Sequence, residues 1–148
     1  ITTYRRLAES ALEKIGGHLT LTKGKWTAGV PLPGGNFPVD GGHILIANLQ
    51  SRFPYLSDFW ASRLVRAYGT EAADILGDAK QATDLGHDFG ATLTEVEVKW
   101  LMKNEFARNA EDVIWRRNKL GLRMTEEQAK ILDNWMAQQH QTPPVAAE

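Results

Sequence analysis

Apolar positions recur with helical spacing along most of this chain, and Gly and Pro cut the pattern into segments. Leu7, Ala8, Ala11, Leu12 and Ile15 form one stripe, which predicts a helix over residues 2–15 closed by Gly16-Gly17. The period is then lost. Residues 16–42 hold eight Gly and three of the six Pro, and read as a linker with turns. Ile44, Leu45, Ala47 and Leu49 predict a short helix ending before Pro54. Ser57 is placed to cap the next, whose inner face is Phe59, Trp60, Leu64, Val65 and Tyr68. A third helix starts at Thr70 and ends near Gly77, and residues 78–92 read as irregular. Thr94 with Glu97 and Thr125 with Gln128 both have capping-box spacing, each before an apolar helical stripe. Strand-like alternation is confined to His18–Leu21. The expected fold is all-α, a compact bundle of about six helices preceded by one helix and a Gly/Pro-rich linker. The expected divisions are residues 1–17, linker 18–42, helical domain 43–140 and a disordered tail 141–148.

One stretch combines polar and apolar chemistry more densely than the rest. Between Asn104 and Leu122, Asn109 is an N-cap candidate with Glu111 and Asp112 in the first turn, and Ala110, Val113, Ile114 and Arg117 follow at helical spacing. Gly121 is placed to stop the helix. Arg108 with Glu111, and Asp112 with Arg116, are spaced to meet around a turn. Arg117 is expected to be half-buried against Glu105, Glu111 or Asp112, fixing how neighbouring helices cross. Glu105, Arg108, Glu111, Asp112, Trp115, Arg116, Arg117 and Lys119 are therefore the candidate structural or interface residues.

Charge and residue usage narrow the function. Seventeen basic against eighteen acidic residues give a net charge of −1, so no global field favours nucleic acid or membrane. A helix-turn-helix reading of residues 94–140, with Arg116, Arg117, Lys119 and Arg123 as the contact surface, is the alternative, although acids flank each basic cluster. Cys is absent, which removes disulfides and thiolate metal sites and suits a cytoplasmic setting. No apolar run approaches the roughly 20 residues of a spanning helix. His18, His43, His87 and His140 lack ligand spacing, and His87-Asp88 has no nucleophile beside it. Gly34-Gly35 and Gly41-Gly42 lack the motifs of phosphate-cradling loops. Trp60, Trp100, Trp115 and Trp135 fall on or beside apolar stripes and are expected in the core, whereas Trp26 is expected to be exposed. No catalytic or metal-ligating residue emerges.

The Ala-Arg-Asn-Ala-Glu-Asp-Val-Ile-Trp-Arg-Arg-Asn-Lys-Leu-Gly run over residues 107–121 resembles a signature near the C-terminus of aerobic, FAD-dependent glycerol-3-phosphate dehydrogenases. It departs from that signature at Asn109 and Asn118, commonly Thr, and at Ile114, commonly Leu. Residues 1–9 resemble the end of the family's flavin domain, and Leu32-Pro33-Gly34-Gly35-Asn36-Phe37 resembles the entry to its C-terminal domain. The resemblance, together with a first residue that is Ile rather than Met, implies a C-terminal piece of a longer chain. It implies that the longer protein oxidises glycerol 3-phosphate to dihydroxyacetone phosphate, with FAD as acceptor and quinone beyond it. That protein is expected to be peripheral on the cytoplasmic face of the inner membrane. The piece itself is expected to be a non-catalytic cap or interaction domain that binds no cofactor, supporting folding, docking or self-association. Its implied partner is the upstream FAD domain, and membrane contact comes only through the longer protein. Only Thr2 and Thr3 match a segment that approaches the flavin, and only within the full-length protein.

Overall fold

The computed structural model describes residues 3–20 and 23–141, and the chain forms two compact units, Ile1–Leu32 and Pro33–Glu148. The first unit contains helix α1 (Tyr4–Ile15), followed by a 3-10 turn, Gly16–His18. Glu9 of α1 accepts from Arg5, from the Thr27 hydroxyl and from the Thr27 backbone N–H. The Thr27 hydroxyl bond is the main reason that the Glu9 carboxyl lies below its usual pKa. Helix α1 has no buried residue: Leu7, Leu12 and Ile15 of the expected stripe are exposed. Trp26 is exposed as well, with Lys23 over its ring.

Among its described residues, the regular structure of the second unit is helical apart from one small hairpin. Its helices are α2 (Gly42–Arg52), α3 (Asp58–Tyr68), α4 (Ala72–Leu76), α5 (Glu95–Asn104) and α6 (Glu126–Gln141). Helix α2 packs on α3, α4 on α3 and α5, and α6 on the hairpin. Leu64, Leu85, Leu93, Val98, Leu101, Val113 and Leu132 are among the residues fully withdrawn from solvent in a single core. Burying aliphatic side chains of this size contributes about 1.5–3 kcal/mol each.

Local chemistry accounts for several helix ends. Ser57 Oγ accepts from the N–H of Trp60, capping α3. Thr125 and Gln128 make both reciprocal bonds of a capping box at the start of α6, at 3.2 and 2.9 Å. The Gly-rich entry to this unit also has a packing reason. Gly34 O accepts from the Thr70 N–H, and a Cβ on Gly34 or Gly69 would lie 2.2 or 1.9 Å from a backbone oxygen of the other segment. Only glycine permits that crossing, so Gly34 serves packing rather than a phosphate.

In several places the structure departs from what the sequence pattern predicts. Residues 78–92 are not wholly irregular: a 3-10 turn, Ala82–Leu85, precedes strand β1 (Asp88–Gly90), which pairs antiparallel with β2 (Leu93–Thr94). The strand-like signal at His18–Leu21 does not mark a strand at His18, which lies in a 3-10 turn, and Leu21 is outside the described residues. The expected α-helix at Asn109–Lys119 is a π-helical turn, Asp112–Arg117. Gly121 does not end that helix as a left-handed cap. It lies in a 3-10 turn, Leu120–Leu122, where a Cβ would meet the Trp115 ring at 2.5 Å.

Candidate functional site

The polar centre of the second unit is an ion pair joining α3 to α5. Arg63 donates from both terminal nitrogens to the two oxygens of Glu97, each at 2.7 Å, in the bidentate geometry that suits a guanidinium and a carboxylate. Tyr68 donates to Glu97 Oε1 at 2.7 Å. The Arg63 side chain is 11% exposed and that of Glu97 1%. Burial opposes the charge on Arg63, but the bonds and charge of Glu97 more than offset it, and its pKa is raised. Burial and the Glu97 charge push the Tyr68 phenol well above its usual range, so it remains a donor.

The same guanidinium holds the tip of the hairpin. Arg63 Nε donates to Thr92 Oγ1 and Nη2 to Thr92 O, both at 2.8 Å. Ala91 and Thr92 form this tip with φ of 51° and 69°. Both lie in the left-handed region, where a tight hairpin normally places Asn or Gly. Such positions cost of order 1–3 kcal/mol each and persist when their surroundings over-determine them. Arg63 supplies that constraint. The Thr94–Glu97 capping box is therefore not formed: Thr94 makes no side-chain cap bond, and the Glu97 carboxylate is committed to Arg63 and Tyr68.

The segment from Glu105 to Lys119 is the second polar assembly. Asn109 Oδ1 accepts from the Asp112 N–H, and Asp112 in turn accepts from the Arg108 N–H, both at 2.9 Å. Asp112 also takes Arg116 Nη1 at 2.9 Å, so the predicted Asp112–Arg116 pair forms, and Glu111 reaches the same guanidinium at 3.4 Å. The backbone bond from Arg108 leads the interactions that hold the Asp112 carboxyl below its usual value. Arg117 pairs with Glu105, the first of its expected partners: the carboxylate lies at 3.7 Å and the backbone oxygen accepts twice, at 2.9 and 2.6 Å. Lys119 donates to the carbonyl of Trp115, a residue that is 42% exposed rather than buried with the core. Trp60, Trp100 and Trp135 are half-buried against the core, as the stripes predict. Thr2 lies outside the described residues, and Thr3 stands at the start of α1 without a side-chain cap bond.

The sequence pattern does not mark Arg63, Tyr68, Thr92 and Glu97 as a group. Part of their signal was present: Leu93, Glu97 and Leu101 are four residues apart, which places a carboxylate on an apolar stripe. Among the described residues, no cluster of three or more His, Cys, Asp or Glu could hold a metal ion. No helix among them is long and apolar enough to cross a membrane.

These features define a small helical domain whose buried charges are spent on its own geometry. Residues 25–141 match the family described as the C-terminal domain of alpha-glycerophosphate oxidase, and the chain belongs to that family. It is similar to an aerobic glycerol-3-phosphate dehydrogenase of Escherichia coli, 37% identical over 93% of this chain and 27% of that protein. A glycerol-3-phosphate dehydrogenase of Pseudomonas aeruginosa is 38% identical over 97% of this chain and 28% of its own length. A D-erythritol 1-phosphate dehydrogenase of Brucella abortus is 31% identical over 91% of this chain and 27% of its own length. The chain thus spans only about a quarter of the length of these relatives.

Proposed function

We propose that this chain is the helical C-terminal domain of an FAD-dependent dehydrogenase that oxidises glycerol 3-phosphate to dihydroxyacetone phosphate and passes electrons to quinone. In this reading the domain is a non-catalytic cap: it docks on the flavin-bearing part of the same polypeptide and supports its folding. The observation that carries this is the family match over residues 25–141, in a chain that corresponds to 27–28% of two glycerol-3-phosphate dehydrogenases. The exposed apolar stripe of α1 supports it, because a helix with Leu7, Leu12 and Ile15 uncovered is suited to packing against further structure. That one relative is named for D-erythritol 1-phosphate also supports a role away from substrate selection. In this reading the flavin is held elsewhere in the longer polypeptide. The chain has no GxGxxG motif, and Thr3, the described member of the matching pair, stands on a helix without a buried residue. No step of the oxidation is assigned to this chain.

Truncating the full-length protein after Gly17 tests the proposal. The expected result is lower thermal stability and lower FAD content, with turnover per bound flavin largely kept. Normal flavin content with a selective loss of turnover would contradict a capping role and point to chemistry within the domain.

A further inference from the structure

Helix α5 ends in a way that is unfavourable for the chain alone. Phe106, just beyond it, has φ of 58° and is 79% exposed. Glycine is the usual residue in a left-handed position after a helix, and a bulky side chain there is an outlier. Its neighbours are anchored on both sides. Arg117 grips the Glu105 carbonyl with two bonds, while Ala107 is buried and donates its N–H to Leu101 O at 3.1 Å. The strain is thus held by the fold, and it leaves an aromatic side chain in water, where burial returns nothing.

A cavity of about 480 Å³ adjoins the preceding residue, lined in part by Glu71, Glu105, Tyr68, Trp100 and Asn104. Its walls combine two carboxylates with two aromatic side chains, the surroundings a guanidinium or ammonium group prefers. Burial pushes the Glu105 carboxyl above its usual value; Arg117 draws it down, and Glu71 and Glu97 push it up again. Glu71 and Glu105 both line the cavity, and Arg117 lies 3.7 Å from Glu105 alone, so a second cation would be favoured beside Glu71.

We infer that the C-terminal end of α5 is the docking face for the flavin-bearing part of the same polypeptide, with Phe106 as apolar anchor and the adjacent cavity receiving a basic side chain. This rests on the capping function proposed above. The occupant follows from the part of the relatives' length that this chain does not cover, about three quarters, and from the excess of carboxylates around the cavity. An exposed aromatic anchor beside a charge-selecting pocket gives both affinity and register.

Phe106→Gly separates this from a structural role, because the two contexts should respond with opposite signs. In the isolated 148-residue chain the substitution relieves strain, and the melting temperature should rise by about 2–4 °C. Binding of that chain to the separately expressed flavin-bearing portion should weaken about 10–30-fold. Glu105→Gln should weaken binding less and reduce its salt dependence. Wild-type binding left unchanged by Phe106→Gly overturns the anchor while sparing the cap. Absence of wild-type binding overturns both. A Phe106-dependent dimer of the isolated chain, or Phe106-dependent binding to phosphatidylglycerol vesicles, would also overturn the assignment by giving the face another occupant.

Discussion

Arg63–Glu97 and Arg116–Asp112 are both guanidinium–carboxylate pairs, with contacts of 2.7 and 2.9 Å. Distance hardly separates them; surroundings do. The first pair has side-chain exposures of 11% and 1%, the second of 54% and 18%. Two charges removed from water are held by each other and by Tyr68 and Thr92, so losing one strands the other. Arg116 remains largely hydrated, and water can replace its partner. The buried pair fixes how α3, α5 and the hairpin meet, whereas the exposed pair decorates a turn that Asn109 and Asp112 already cap.

The largest expected break is Arg63→Met, which leaves Glu97 buried without its counter-charge and should cost about 3–5 kcal/mol in urea unfolding. The double variant Arg63→Met with Glu97→Leu should recover much of that loss. If the single variant is nearly neutral, the pair does not organise the core. Tyr68→Phe is intermediate, because one buried bond to Glu97 is lost, at about 1–3 kcal/mol. It also sharpens the comparison through pH. The folded-state pKa of Tyr68 is raised, so its contribution is complete below the ordinary phenol value near 10 and is lost as pH rises above it. Stability of the wild-type chain should fall more steeply through that alkaline range than stability of Tyr68→Phe. The smallest effect is expected for Arg116→Ala, at about 0.5 kcal/mol or less and fading with salt. A loss of several kcal/mol there would erase the distinction between the two pairs.

The two capping boxes show what could be read from sequence and what could not. Thr125–Gln128 and Thr94–Glu97 have the same spacing, and only the first forms. Nothing between residues 94 and 97 reveals the difference, because the competing partner, Arg63, is on another helix. Local signals served well where the physics is local: the Ser57 cap, the Asn109 cap and the Asp112–Arg116 pair all stand as their spacing suggests. Helical content was legible for the same reason, from the stripes that supply Leu64, Leu101, Leu132 and Met136 to the core. The hairpin was hidden because its turn carries Ala91-Thr92 instead of the residues such turns favour, a choice that Arg63 makes tolerable from a distance. Among the candidate site residues, Glu105 and Arg117 were found as partners, but their joint effect on Phe106 depends on a backbone oxygen that side-chain spacing does not display.

The central claim is that this domain works by docking on the rest of a longer flavoprotein, and a titration in trans tests it most directly. The wild-type 148-residue chain would be added to the flavin-bearing portion while binding and retained FAD are followed together. Saturable association at one-to-one stoichiometry, with FAD content rising in step, is the result this account predicts. No association, with the flavin-bearing portion fully loaded and active alone, would contradict it and leave the domain to serve an outside partner.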